Sequence, residues 1–273
     1  MNPPARHLPK SKTATISLLV GGKKMQVRVT APTGLVQPTG LLPQFESLAD
    51  RFVATAVEAV EADRRRISCK RGCGACCRQL VPISGIEAQR LRELVNKMPE
   101  RRRAEIVARF QSAKLRLENG GLLKRLLAPG TITNKELTQF GLEYFSQRIA
   151  CPFLEEESCS IHPNRPLVCR EYLVTSPPEN CARPARDTVH RVKLPVQVSR
   201  AVRRLAGEGD GVAWVPLILA LDWAEAHLPQ PPRRTGTEWV EVFFKALAGS
   251  DQETPDATER ELKGKRKPWW RFW

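Results

Sequence analysis

The chain has 273 residues, 41% of them apolar and 27% charged, enough to build one large or two small hydrophobic cores. No run approaches the roughly 18 to 20 apolar residues of a membrane-spanning helix, and the N-terminal ISLLV ends in Gly-Gly and lysines instead of a cleavage site, so the expectation is an unsecreted, cytoplasmic protein. Forty-four Lys and Arg against 29 Asp and Glu give a formal charge of +15, but much of it falls on helical faces such as RRRAEIVARFQSAKLRLE, where it reads as solvated surface and assigns no nucleic-acid partner on its own.

In chain order, residues 1–12 are proline-rich and basic and are expected to be disordered. TISLLVGGKKMQVRV reads as two strands joined by a tight Gly-Gly turn. A lone hairpin is marginal in water, so it should pack on the body of the protein or on a partner. APTGLVQPTGLLP is a linker, closing a first segment of residues 1–43. From near Gln44, the residues Phe45, Leu48, Phe52, Val53, Ala56, Val57 and Val60 recur every three or four positions, which predicts a helix with one buried face running into Cys69. Ser84 and Glu87 have the spacing of a capping box for a helix to about Met98. Pro99 opens the next helix, and Asn134 caps KELTQFGLEYFSQRI, which delivers the chain to Cys151. Both cysteine groups are thereby expected at helix ends, where backbone N–H groups are free to meet sulfur. HRVKLPVQVSRAVRRLA predicts an extended piece and a helix, and AWVPLILALDWAEAHL and TGTEWVEVFFKALAG predict two core helices within residues 211–249. Residues 250–273 read as a disordered tail. The expected class is mainly α: an irregular helical domain over residues 44–210, stapled by a cysteine/metal cluster, with an N-terminal β-hairpin.

The cysteines carry the chemistry. CKRGCGACC holds Cys69, Cys73, Cys76 and Cys77, and CPFLEEESCSIHPNRPLVCR holds Cys151, Cys159 and Cys169, with Cys181 eleven residues further on. In a reducing compartment, a dense and spaced thiol set points to metal or redox work instead of disulfides. Eight is twice the four ligands that zinc thiolate sites and iron–sulfur clusters take, so the expected cofactor is zinc or iron, the latter as an iron–sulfur cluster. Gly72 and Gly74 bring backbone amides close to sulfur and count with the cofactor-binding residues. Successive side chains diverge, so Cys76 and Cys77 serve different metals or one is a spare nucleophile. Cys69, Cys73 and Cys76 also share the CxxxCxxC spacing of radical S-adenosylmethionine enzymes, whose barrel of alternating strands and helices is not legible here. His162 reads as a loop residue before proline more than as a nitrogen ligand. Arg165 and Arg170 are assigned to cofactor binding, donating to thiolates in preference to an anionic substrate or an ion pair with Glu171 or nearby acids.

CGACC and CPFLEEESCSIHPNRPLVCREY together resemble the bacterial CxxCxxCC, or YkgJ-type, family of zinc- or iron-chelating proteins. The likeness rests on Cys73, Gly74, Cys76, Cys77, Cys151, Pro152, Phe153, Leu154, Cys159, Ile161, Arg165, Pro166, Cys169 and Arg170. It covers residues 69–181 and departs from the family spacing between Cys69 and Cys73, which have three residues between them. The resemblance implies a metal-binding protein. A related cluster in flagellin lysine N-methylase implies a cluster-dependent enzyme as the alternative, although no glycine-rich S-adenosylmethionine signature accompanies it. A third alternative is an adaptor. The tail KGKRKPWWRFW suits a membrane surface, a nucleic acid, or its own protein surface as partner.

Overall fold

A computed structural model describes residues 10–20, 23–133, 136–184, 188–206 and 214–250. Among them are ten α-helices and three small two-stranded antiparallel sheets, so the chain is mainly α. Strands β1 (Ser11–Val20) and β2 (Lys23–Pro32) pair from Ser11 with Pro32 to Val20 with Lys23. As expected of a hairpin that cannot stand alone, β2 lies against the rest of the protein. Val20 and Val27 join a core made with α1 (Leu42–Ala62), α8 (Val198–Ala206) and α10 (Gly236–Ser250). The Gly-Gly turn, Asn134 and the basic aromatic tail lie outside the described residues.

Helix α1 buries Phe45, Leu48, Phe52, Ala56 and Val60 of the stripe the periodicity predicts, while Val53 and Val57 on its margin are half-buried. It does not run into Cys69. It ends at Ala62, and Arg64 turns into the left-handed region with φ of 56°, so the first cysteine segment is irregular chain beyond a polar Asp-Arg-Arg-Arg stop. Helix α2 (Gly85–Asn96) begins at the expected capping box. Ser84 Oγ accepts from the Glu87 backbone, and Glu87 accepts in return from the Ser84 backbone at 2.8 Å. Helix α3 (Glu100–Asn119) follows Pro99, and Arg102 and Arg109, on its basic face, both reach Glu155, so that face is not all solvated surface. Helices α4 (Leu123–Leu127) and α5 (Leu137–Ser146) complete a second apolar cluster with Phe140 and Tyr144 buried.

Two strand pairs depart from the predicted elements. Within AWVPLILALDWAEAHL, only α9 (Ala220–Ala226) is α-helix. Val215–Pro216 forms β6, paired with β3 (Pro82–Ile83), and a 3-10 turn spans Leu217–Leu219. Pro216 has no N–H to give a helix and disfavours helical backbone at Val215, which holds the pair extended. The third sheet, β4 (Leu154–Glu155) with β5 (Ser158–Cys159), turns at Glu156 and Glu157, which have φ of 47° and 57°.

Candidate metal centre

The second cysteine segment is held by three anchors on one short helix, α6 (Leu167–Glu171). Glu87 accepts the Leu167 N–H at 2.8 Å with the oxygen its capping box leaves free. Arg170, 8% exposed, pairs with Glu46 and Asp50 of α1 at 3.4 and 3.2 Å. Glu171 accepts from the backbone and hydroxyl of Ser199 at the start of α8. Cys169 therefore projects from a platform tied to α1, α2 and α8 at once.

The first segment is laid against it by backbone contacts. The Cys151 N–H donates to the Cys77 carbonyl at 2.7 Å, joining the two cysteine groups directly. Ser68 donates to the Val174 carbonyl at 2.9 Å, and the Val174 N–H reaches the Cys69 sulfur at 3.4 Å. Gly74 permits the approach: a Cβ there would stand 2.5 Å from the Glu157 carbonyl oxygen and 2.5 Å from Leu154 Cδ1. Arg78 clamps the same turn with two bonds to Glu157, 2.9 and 2.5 Å. Gly72 serves differently, through a φ of 85° that an L side chain rarely adopts.

Between the segments lies a cavity of about 270 Å³, and all eight cysteines, 69, 73, 76, 77, 151, 159, 169 and 181, line it. All are free thiols. Cys181 comes from α7 (Pro178–Ala182) and packs with Cys69 and Cys76 around Tyr172 and Val174. Cys151 and Cys159 sit in the neighbouring apolar cluster with Phe153 and Ile161. Among the described residues, neither Asp nor Glu lines the cavity. Such a donor set suits the soft ions of thiolate chemistry and not a hard, oxygen-seeking cation. Among the described residues, no three Cys, His, Asp or Glu stand in metal-holding geometry, so the fit lies in the chemistry of the thiols and in their sharing one cavity.

The environment favours the uncharged form of six thiols. Burial pushes Cys151 up to about 12 and Cys181 to about 11, and it raises Cys69 and Cys159. Cys169 is raised by burial and then by Cys76, Cys151 and Cys159. Cys76 is raised first by its hydrogen bond with Cys77 and then by burial. A divalent ion would reverse this balance, since coordination requires thiolate and expels the protons.

Of the other residues expected at the site, Gly72 and Arg165 line the cavity, whereas Gly74 and Arg170 do not. Gly74 packs behind it and Arg170 is held by α1. His162 lines the cavity, but its Nε2 faces Arg165 Nη1 at 2.6 Å. Burial, followed by the nearby charges of Arg165, Arg71 and Arg170, lowers its pKa. Sequence reasoning missed Gln79 and Tyr172, both lining residues joined side chain to side chain at 3.4 Å. Gln79 gives no sequence signal. Tyr172, two residues beyond the motif residue Arg170, gives a weak one.

Residues 68–184 match the model of the CxxCxxCC family, described as "Putative zinc- or iron-chelating domain". The search of curated proteins and the search of solved structures each gave no match.

Proposed function

From the CxxCxxCC zinc- or iron-chelating domain matched over residues 68–184, we propose that this protein binds zinc or an iron–sulfur cluster through cysteine thiolates drawn from both segments. The observation that carries this reading is the convergence of all eight free thiols on one cavity that no carboxylate lines among the described residues. Cys69, Cys73, Cys76 and Cys77 would supply one wall, Cys151, Cys159, Cys169 and Cys181 the other, and the metal would bridge them. Each divalent ion with four thiolates carries a net charge of about −2, and the basic residues Lys70, Arg71 and Arg165 around the cavity supply compensating charge. Metal would then couple to folding, because the two walls come from segments about eighty residues apart.

The test is the metal and acid-labile sulfide content of full-length protein purified without air, with its visible spectrum. Iron with sulfide and broad absorbance near about 400 nm would identify a cluster. One or two zinc ions in a colourless protein would identify a structural or transfer site. Protein holding neither metal, and taking up neither on reconstitution, would overturn the reading.

A further inference from the structure

Arg165 and Arg170 look alike in the sequence and differ in the fold. Arg170 has two carboxylate partners, and its Nε donates to the Arg165 carbonyl at 3.1 Å. Arg165 follows the 3-10 turn His162–Asn164 and lines the cavity. Its Nη1 meets His162, its Nε is buried with no hydrogen-bond partner, and no carboxylate pairs with it among the described residues. A guanidinium so placed lacks the negative charge that normally offsets its loss of water. Besides His162, its charge acts on thiols of both walls, Cys69, Cys76 and Cys159. The missing countercharge is therefore the one a bound metal brings, since metal-bound cysteines are thiolates in numbers exceeding the ion's own charge.

We propose that Arg165 is a positioning residue of the thiolate centre: its buried Nε–H donates to a metal-bound cysteine sulfur, and its fixed charge offsets the excess negative charge of the centre. This inference rests on the metal reading above. Its arrangement explains why Arg165, half-buried at the cavity, has no acid partner among the described residues, whereas the buried Arg170 has two. A permanent carboxylate at that position would compete with sulfur for the guanidinium.

The test compares full-length wild type with Arg165→Met and Arg165→Lys, using zinc in competition with a chromophoric chelator, and cobalt as a spectroscopic probe. Losing a group that supports metal ligands typically costs ten- to a hundredfold in affinity. The Met variant should bind zinc about that much more weakly, and Lys should restore most of it. The sulfur-to-cobalt charge-transfer band should move to longer wavelength in the Met variant, because its sulfur loses a hydrogen-bond donor. Metal-stripped Met protein should melt no lower than metal-stripped wild type, because an uncompensated cation has been removed. Wild-type zinc affinity in the Met variant would overturn the inference, as would equal destabilisation of its stripped and loaded forms. Unchanged zinc affinity with lost stabilisation by inorganic phosphate would overturn it in favour of an anion seat. If wild type itself took up neither zinc nor cobalt, the metal reading would fail first, which the Arg165 variants alone cannot produce.

Discussion

Replacing Gly74 by alanine tests whether backbone approach, and not the cysteines alone, builds the centre. The added methyl would meet the Glu157 carbonyl oxygen at 2.5 Å, the Glu157 carbonyl carbon at 2.7 Å and Leu154 Cδ1 at 2.5 Å. Two of those atoms are backbone, so they cannot swing aside as a side-chain end could. Either the CGACC turn or the β4–β5 turn must retreat, and both carry cysteines. Overpacking of this kind costs about 1 to 3 kcal/mol, which in a chain of this size lowers the melting temperature by about 2 to 4 °C per kcal/mol. The same retreat lengthens the Cys151 N–H to Cys77 carbonyl bond, now 2.7 Å, that joins the two walls. Metal affinity should therefore fall along with stability. The assay is thermal unfolding of loaded and stripped protein, with zinc competition alongside. Glu157→Ala is the control: it removes an exposed ion pair with Arg78 but no backbone, and should cost under about 1 kcal/mol. Gly74→Ala with wild-type melting and affinity would refute the reasoning. So would Glu157→Ala matching it in size.

Cys76→Ser and Cys151→Ser should each lower bound metal and the melting temperature, measured by elemental analysis and calorimetry on protein purified without air. A ligand present at a thousandfold its dissociation constant adds about 4 kcal/mol to stability, so stripping metal with a chelator should lower the melting temperature measurably, and restoring zinc or iron should reverse it. Zinc uptake should release protons, counted with an indicator dye in weak buffer, because the raised thiols are protonated at neutral pH. Apparent affinity should rise with pH by about one decade per unit for each proton released, and uptake without proton release would exclude thiolate ligation. Glu171 predicts an opposite slope for stability: its carboxyl is held at about 7, above its ordinary 4.5, by burial. The folded state then binds the extra proton, so stability is full below about 4.5 and is lost as pH rises towards about 7, by up to about 3 kcal/mol. Glu171→Gln should flatten that slope in urea titrations across this range.

Patterns that depend on neighbours in the chain were legible. The Ser84–Glu87 capping box, the buried stripe of α1 and the N-terminal hairpin each follow from spacing, and each forms. What spacing cannot show is the second use of a residue. Glu87 reads as a cap, yet its other oxygen anchors α6, eighty residues away, and so positions Cys169. Arg165 and Arg170 are indistinguishable as letters and separate only once Glu46 and Asp50 lie beside one of them. The β4–β5 turn was hidden because EEES is polar and favours no strand, and two of its residues adopt positive φ without glycine. The long apolar run from Trp214 read as helix because its hydrophobicity is continuous. Pro216, which divides it, is the local signal against a continuous helix.

The fold gives unequal support to the two walls of the centre. Cys169 stands on a helix anchored to three others, whereas Cys69, Cys73 and Cys76 lie in chain with no regular structure between Ala62 and Pro82. That stretch is held by a few backbone bonds, by its contact with the β4–β5 turn at Gly74, and by apolar packing of Cys69 and Cys76 on Tyr172 and Val174. Regions with few buried contacts open at low free-energy cost. The first wall should therefore loosen before the second when metal is absent. Hydrogen exchange on stripped protein should show fast amides over residues 68–79 and slow ones over α2 and α8, and metal should slow the first group selectively. Equal protection of both walls without metal would mean that the segment is held by the fold alone.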